Sequence, residues 1–189
     1  MKKLIIAIIS IAAAAVLVIS GMLVCSGKIS FGTANAADET VETDNTPAAY
    51  IEYMDMYLTV NEDGIILQSS FSEPDDDIPE ITGLVLGNVI TGQEVETSDQ
   101  ETFEYALSVI AELNKNSLSE INEIYVSSAG EITIYAKEIK ILLGEDEDTS
   151  EKINDLKDFY YTVVEMEGTL DMQEVSESDT GYTFKVSSS

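Results

Sequence analysis

Residues 121–144 read INEIYVSSAGEITIYAKEIKILLG, and the fold turns on how this stretch is read. It holds three apolar runs, Ile121–Ser127, Glu131–Ala136 and Ile139–Leu143, the first two joined by a turn at Ser128-Ala129-Gly130. Their Ile-Tyr-Val, Ile-Tyr and Ile-Leu-Leu content suits a β-sheet with one covered face. The cover is found on either side in sequence. Upstream, Ser98-Asp99-Gln100-Glu101 is a capping box, and Phe103, Ala106, Ile110 and Leu113 recur behind it on one helical face as far as Asn114 to Asn116. Downstream, Asp148-Thr149-Ser150-Glu151 repeats the signal ahead of Ile153, Leu156, Tyr160 and Val163, and Gly168 is expected to release that helix.

Further out the pattern returns to strands. Tyr50–Met54 and Tyr57–Val60 are β-prone, Asn61-Glu62-Asp63-Gly64 is a turn with glycine where positive φ is needed, and Ile65–Ser69 is the returning strand. Ile78-Pro79-Glu80-Ile81-Thr82-Gly83 is extended and stiffened by proline, and it leads to Leu84–Gly87. Thr169–Val175 and Tyr182–Val186 read as closing strands. The expected fold class is α+β. One domain over residues 47–189 carries an antiparallel or mixed sheet with two amphipathic helices packed on one face.

Ahead of that domain, residues 4–25 form an apolar run broken only by Ser10, Ser20 and Gly21. At ~1.5 Å per residue such a helix is long enough to cross a ~30 Å hydrocarbon core. Lys2 and Lys3 precede it and Asp38, Glu39, Glu42 and Asp44 follow at a distance, which places residues 1–3 in the cytoplasm and the domain outside. Residues 26–46, rich in Ser, Thr, Asn, Ala and acids, read as a flexible linker. The competing reading is a cleaved secretory signal, with Ala34-Asn35-Ala36 as the small-x-small site. Cleaved signals have a shorter apolar region, of ~7–15 residues. Cys25 follows Val24, which does not suit lipoprotein processing, and as the lone cysteine it leaves the exterior domain without an internal disulfide.

The chain carries a net charge of −27; residues 1–37 contribute +3, so residues 38–189 carry −30 from 36 acids and six lysines. Such a field repels nucleic acid and anionic lipid headgroups. Arginine, histidine and tryptophan are absent from the sequence. Serine–histidine and cysteine–histidine catalysis and histidine-held metals are therefore excluded. A carboxylate pair acting on a sugar and oxygen-only calcium binding survive that inventory. Asp75-Asp76-Asp77 and Glu145-Asp146-Glu147-Asp148 lack the alternating ligands and glycine of an EF-hand loop and read as solvated acidic loops, and a glycosidase would want sugar-stacking aromatics. No enzyme activity and no cofactor are expected.

The order of these elements, with the residues at their junctions, resembles the extracytoplasmic β domain of the bacterial cell-division protein family FtsQ/DivIB. The resemblance runs over roughly Pro47 to Val175. It is carried by Val60-Asn61-Glu62-Asp63-Gly64-Ile65-Ile66-Leu67, by Ile78–Gly83 as an apolar-Pro-x-apolar-x-Gly segment, by Leu142-Leu143-Gly144 followed by Lys152 and Leu156, and by Gly168-Thr169-Leu170-Asp171-Met172. Two departures stand out. Only residues 26–46 separate the apolar run from the domain, where the family places a polypeptide-transport-associated (POTRA) domain, and Gln173 stands where many relatives carry arginine.

The resemblance implies a non-enzymatic, single-pass plasma-membrane protein of the divisome. It would scaffold septum assembly by contacts with FtsB/DivIC-like and FtsL-like proteins at the division septum. It also implies a docking strand at Leu170, Met172, Gln173, Glu174 and Val175, since unpaired main-chain groups on a sheet edge accept a partner strand. On the residues alone, that strand can equally be an internal or closing member of the sheet. The alternative function is a secreted or surface-tethered acidic binding module for a cation or cell-wall polymer.

Overall fold

The computed structural model describes residues 44–74, 77–145, 148–173 and 181–187, all within a compact unit spanning Thr43–Ser189. The apolar run 4–25, Cys25, the site at Ala36 and nearly all of the linker lie outside the described residues. Among the described residues, no helix is long and apolar enough to cross a membrane.

In chain order the elements are β1 (Ala49–Tyr53), β2 (Met56–Val60), β3 (Ile66–Ser70), β4 (Glu80–Thr82), α1 (Gln100–Lys115), β5 (Ile121–Val126), β6 (Ile132–Ala136), β7 (Ile139–Gly144), α2 (Thr149–Val163), β8 (Gly168–Asp171) and β9 (Thr183–Val186). Among the described residues all nine strands join one sheet, in the order β3-β2-β1-β4-β5-β6-β7-β8-β9. The expected meanders are present: β1, β2 and β3 pair antiparallel, as do β5, β6 and β7. The sheet is mixed because β1 and β4, β4 and β5, and β7 and β8 pair in parallel. Two of these parallel pairs need a crossover, and the helices supply it, α1 between β4 and β5 and α2 between β7 and β8.

That topology also settles where the helices sit. Each crossover steps the same way along the sheet, and β4, β5, β7 and β8 all point the same way. Crossovers of the usual right hand then bring both helices to one face. The burial pattern agrees. Ile51, Leu58, Ile81, Ile124, Ile134, Ile141 and Leu170 are buried at the alternate positions that face the helices, in one core with Phe103, Ile110, Ile153, Leu156 and Tyr160. The other face of the sheet presents Tyr50, Glu52, Tyr57, Glu80, Glu123, Tyr135 and Lys140, each at least partly exposed.

Both helix starts differ from the capping boxes read in the sequence. At α1 the cap is Asp99 rather than Ser98: its carboxylate accepts from Thr102 N–H at 3.2 Å and from Thr102 Oγ1 at 2.8 Å. An aspartate one residue nearer the helix satisfies both donors with its two oxygens. At α2 the cap residue Asp148 is left-handed, at φ 57°, and its side chain makes no capping bond. Helix α2 ends at Val163, so Gly168 does not release it but opens β8. The reason for glycine there is proximity, because a Cβ at position 168 would stand 2.4 Å from the Lys185 carbonyl oxygen of β9.

Candidate functional site

Of the residues expected to dock a partner, the structure describes Leu170, Met172 and Gln173, near the C-terminal end of the sheet, and it separates them. Leu170 lies within β8, which is hydrogen-bonded to β7 on one side and β9 on the other. Its side chain is buried in the core, as is that of Met172, whose N–H donates to Leu142 O at 2.9 Å. Gln173 is exposed. Its N–H donates to Asp171 Oδ1 at 3.2 Å, and its side chain reaches Glu131 at 3.5 Å. Glu174 and Val175 lie outside the described residues. Within Thr169–Asp171, then, the main chain is already paired on both sides, and among the described residues the sheet ends instead at β9.

The β9 rim has a definite hydrogen-bonding phase. Ser187 N–H donates to Glu167 O at 3.0 Å, so residues 187, 185 and 183 turn their main-chain groups toward β8. Strand alternation then points the N–H and C=O of Phe184 and Val186 outward. Val186 is 72% exposed. On the helix side of the rim lies a hollow of about 430 Å³ floored by Leu170 and walled by Phe159, Val163, Tyr182 and Phe184, with Asp155 and Asp158 at its margin. Tyr182 is held there by donating its hydroxyl to Asp155 at 2.8 Å and by a tilted contact with Phe159 at 6.1 Å. Burial first, and then the Asp155 carboxylate, push the Tyr182 hydroxyl up to about 12, so it stays a neutral donor.

A second hollow, of about 570 Å³, opens beside the ends of β7 and β8 between Glu131, Glu145, Lys152, Asp171 and Gln173. Lys152, in the first turn of α2, is nine-tenths buried and donates Nζ to Leu143 O at 3.0 Å. Tyr105 ties the same corner together from α1 by donating to Glu145 O at 2.9 Å. The family signature Leu142-Leu143-Gly144…Lys152 is thus a contact: the lysine closes the end of the strand that precedes its helix.

The family description "Cell division protein FtsQ/DivIB, C-terminal" matches residues 49–174, which is most of the chain. The chain belongs to the FtsQ/DivIB family. It is accordingly a cell-division protein, and the resemblance read from its junctions is correct. None of the curated proteins compared with it matches the chain. The family match takes in β1 to β8 and stops before β9, so the strand that forms the C-terminal rim lies beyond the matched residues. Sequence reasoning found β9 as a closing strand but did not see it as the rim, since nothing in a four-residue run says which neighbour it takes. Among the described residues no group of three or more acids is placed to hold a metal ion, so the cation-binding alternative gains no support.

Proposed function

We propose that this FtsQ/DivIB-family chain is a non-enzymatic, single-pass membrane scaffold of the divisome. Residues 4–25 would anchor it, residues 1–3 would lie in the cytoplasm, and the domain would face outward at the division septum. Its domain captures an FtsB/DivIC-like partner, with FtsL-like proteins in the same assembly, by adding a partner strand to the C-terminal end of the sheet. The carrying observation is the family match over residues 49–174, joined to a sheet that ends at β9 with Phe184 and Val186 turned outward. The docking segment is therefore drawn at the outer edge of β9. Leu170 lies in β8, the strand that β9 pairs with, and Met172 and Gln173 follow it, while Glu174 and Val175 of the expected segment lie outside the described residues.

Proline tests this directly. Val186→Pro removes one outward donor and leaves the β8–β9 ladder intact, so partner capture should fall while the domain stays folded. Lys185→Pro, which removes an inward donor, should instead loosen β9 itself. If a DivIC-like partner still co-purifies with a folded Val186→Pro protein, the docking edge lies elsewhere.

A further inference from the structure

Besides its rims at β3 and β9, the sheet has a third open surface, the face turned away from the helices. Among the described residues no helix or strand covers it. Register places Tyr50 opposite Glu80, Glu80 opposite Glu123, Glu123 opposite Tyr135 and Tyr135 opposite Lys140. These five residues form one row across β1, β4, β5, β6 and β7, on the side away from the core. Two carboxylates thus stand side by side in mid-sheet with a tyrosine on either hand. All four of these side chains are half-buried.

Like charges directly opposite one another destabilise a sheet. Here they are held in place: Thr82 donates its hydroxyl to Glu123, and Tyr50 donates its own to Glu73 at 3.2 Å. Burial first, and then Glu123, Glu52 and Glu73, raise the Glu80 carboxyl, so these acids repel one another across the face. Among the described residues no lysine pairs with any of the four. The ion pairs join Lys115 to Glu112 and Lys137 to Glu120 and Glu165, while Lys140, the cation of the row, has its ammonium 5.9 Å from the centre of the Tyr135 ring. A metal ion does not answer the need either, since among the described residues no group of three or more acids is placed to hold one.

We propose that this face docks an extended, arginine-bearing segment of a partner protein, whose guanidinium bridges Glu80 and Glu123. Charge complementarity selects the occupant. A second copy of this chain has no arginine and a net charge of −27, and the same field repels nucleic acid and anionic lipid. A guanidinium is planar and weakly hydrated, offers donors to two carboxylates at once and stacks on aromatic rings. Spacing extends the argument from a cation to a polypeptide. Neighbouring strands lie ~4.8 Å apart, so Tyr50 and Tyr135 stand ~14 Å apart with the acid pair midway between them. An extended chain laid across the strands turns every second side chain to the sheet, at intervals of ~6.7 Å. Residues two before and two after the arginine then fall over the two tyrosines. The recognised pattern is apolar-x-Arg-x-apolar.

The probe is the peptide Gly-Leu-Thr-Arg-Thr-Leu-Gly, blocked at both ends, with a benzophenone amino acid in place of the first leucine. It is photo-crosslinked to the full-length chain in detergent at ~0.15 M salt, where a single charge draws little general attraction to an acidic protein. Adducts should map to β1, β4, β5 or β6. Citrulline in place of the arginine, which keeps the shape and removes the charge, should cut the yield at least about fivefold. Glu80→Gln combined with Glu123→Gln should cut it as much. Glutamine keeps an oxygen to accept from Thr82 and relieves the repulsion, so that variant folds. Glu101→Gln with Glu104→Gln removes the same charge from exposed positions of α1 and should leave the yield within about twofold. Adducts concentrated on the helices, a citrulline peptide that crosslinks as well, or equal losses in the two double variants would each overturn the proposal. None of these outcomes depends on what binds at β9.

Discussion

Gly168→Ala probes the C-terminal rim with the smallest change available. Gly168 has ordinary extended backbone, so alanine brings no conformational penalty, and its effect is the contact alone. The added Cβ would lie 2.4 Å from Lys185 O and 2.8 Å from the Phe184 ring. Ordinary contacts of this kind begin near 3.4 Å, so the Lys185 carbonyl must retreat by about 1 Å, beyond the reach of a hydrogen bond. Thr169 pairs with Lys185, and that pair exchanges two ladder bonds. At ~1 kcal/mol net each, β9 should open more easily by about 2 kcal/mol, or roughly 30-fold in local exchange. No β9 side chain is fully buried, so the core should hold. Amide hydrogen exchange is the assay. Protection should drop at Thr169, Asp171 and β9, while Ile134 and Ile141 keep theirs and partner capture falls with β9. Unchanged protection across β8 and β9, or loss of protection throughout the sheet, would refute the view that β9 is a separable rim strand.

Three other outcomes are expected. Gly83→Ala should destabilise the whole domain by more than ~3 kcal/mol, because φ is +86° there and the new Cβ would sit 1.9 Å from the Val126 carbonyl, so β4 and β5 must part; at ~2–4 °C per kcal/mol this reads as a fall of about 10 °C in melting temperature. Glu80→Gln should raise the melting temperature at pH 7. Partial burial, and then Glu123, Glu52 and Glu73, raise the Glu80 carboxyl, so the folded state holds a proton the unfolded state has lost; stability declines as pH rises through that window, and the advantage of glutamine should vanish in acid below the ordinary glutamate range. Tyr160→Phe removes the hydroxyl that donates to Ser119 O beneath α2, and because Ser119 is exposed and water can replace the lost donor, denaturant titration should show a loss of only ~1 kcal/mol.

Much of the architecture was legible because it rests on strong periodic signals. The three runs between Ile121 and Leu143 became β5, β6 and β7 within a residue or two, and Asn61–Gly64 turns with Gly64 at φ +75°. Asn61 is a stronger turn residue than composition suggests. It is fully buried, its Oδ1 accepts from Ile65 N–H at 2.8 Å, and its Nδ2 donates to Asp44 O at 2.6 Å. Less visible were features set by distant neighbours. The choice of Asp99 over Ser98 depends on Thr102 presenting two donors to one carboxylate. Gly168 resembles a helix stop in sequence, and only the approach of Lys185, seventeen residues later, shows why glycine is there. The expected docking segment begins in β8 with Leu170 and runs on through Met172, one strand inside β9. Their alternation cannot reveal that a later strand takes the edge, because pairing partners are a tertiary choice.

The two open rims share a topological cause. Each helix is used as a crossover between neighbouring strands in the body of the sheet, so neither is left to wrap an edge. Here the open main-chain groups lie at the outermost strands, which are the positions from which a sheet is extended. At β9, Lys185 and the nearby Asp155 and Asp158 give an approaching chain something to match or to clash with, and that provides selection.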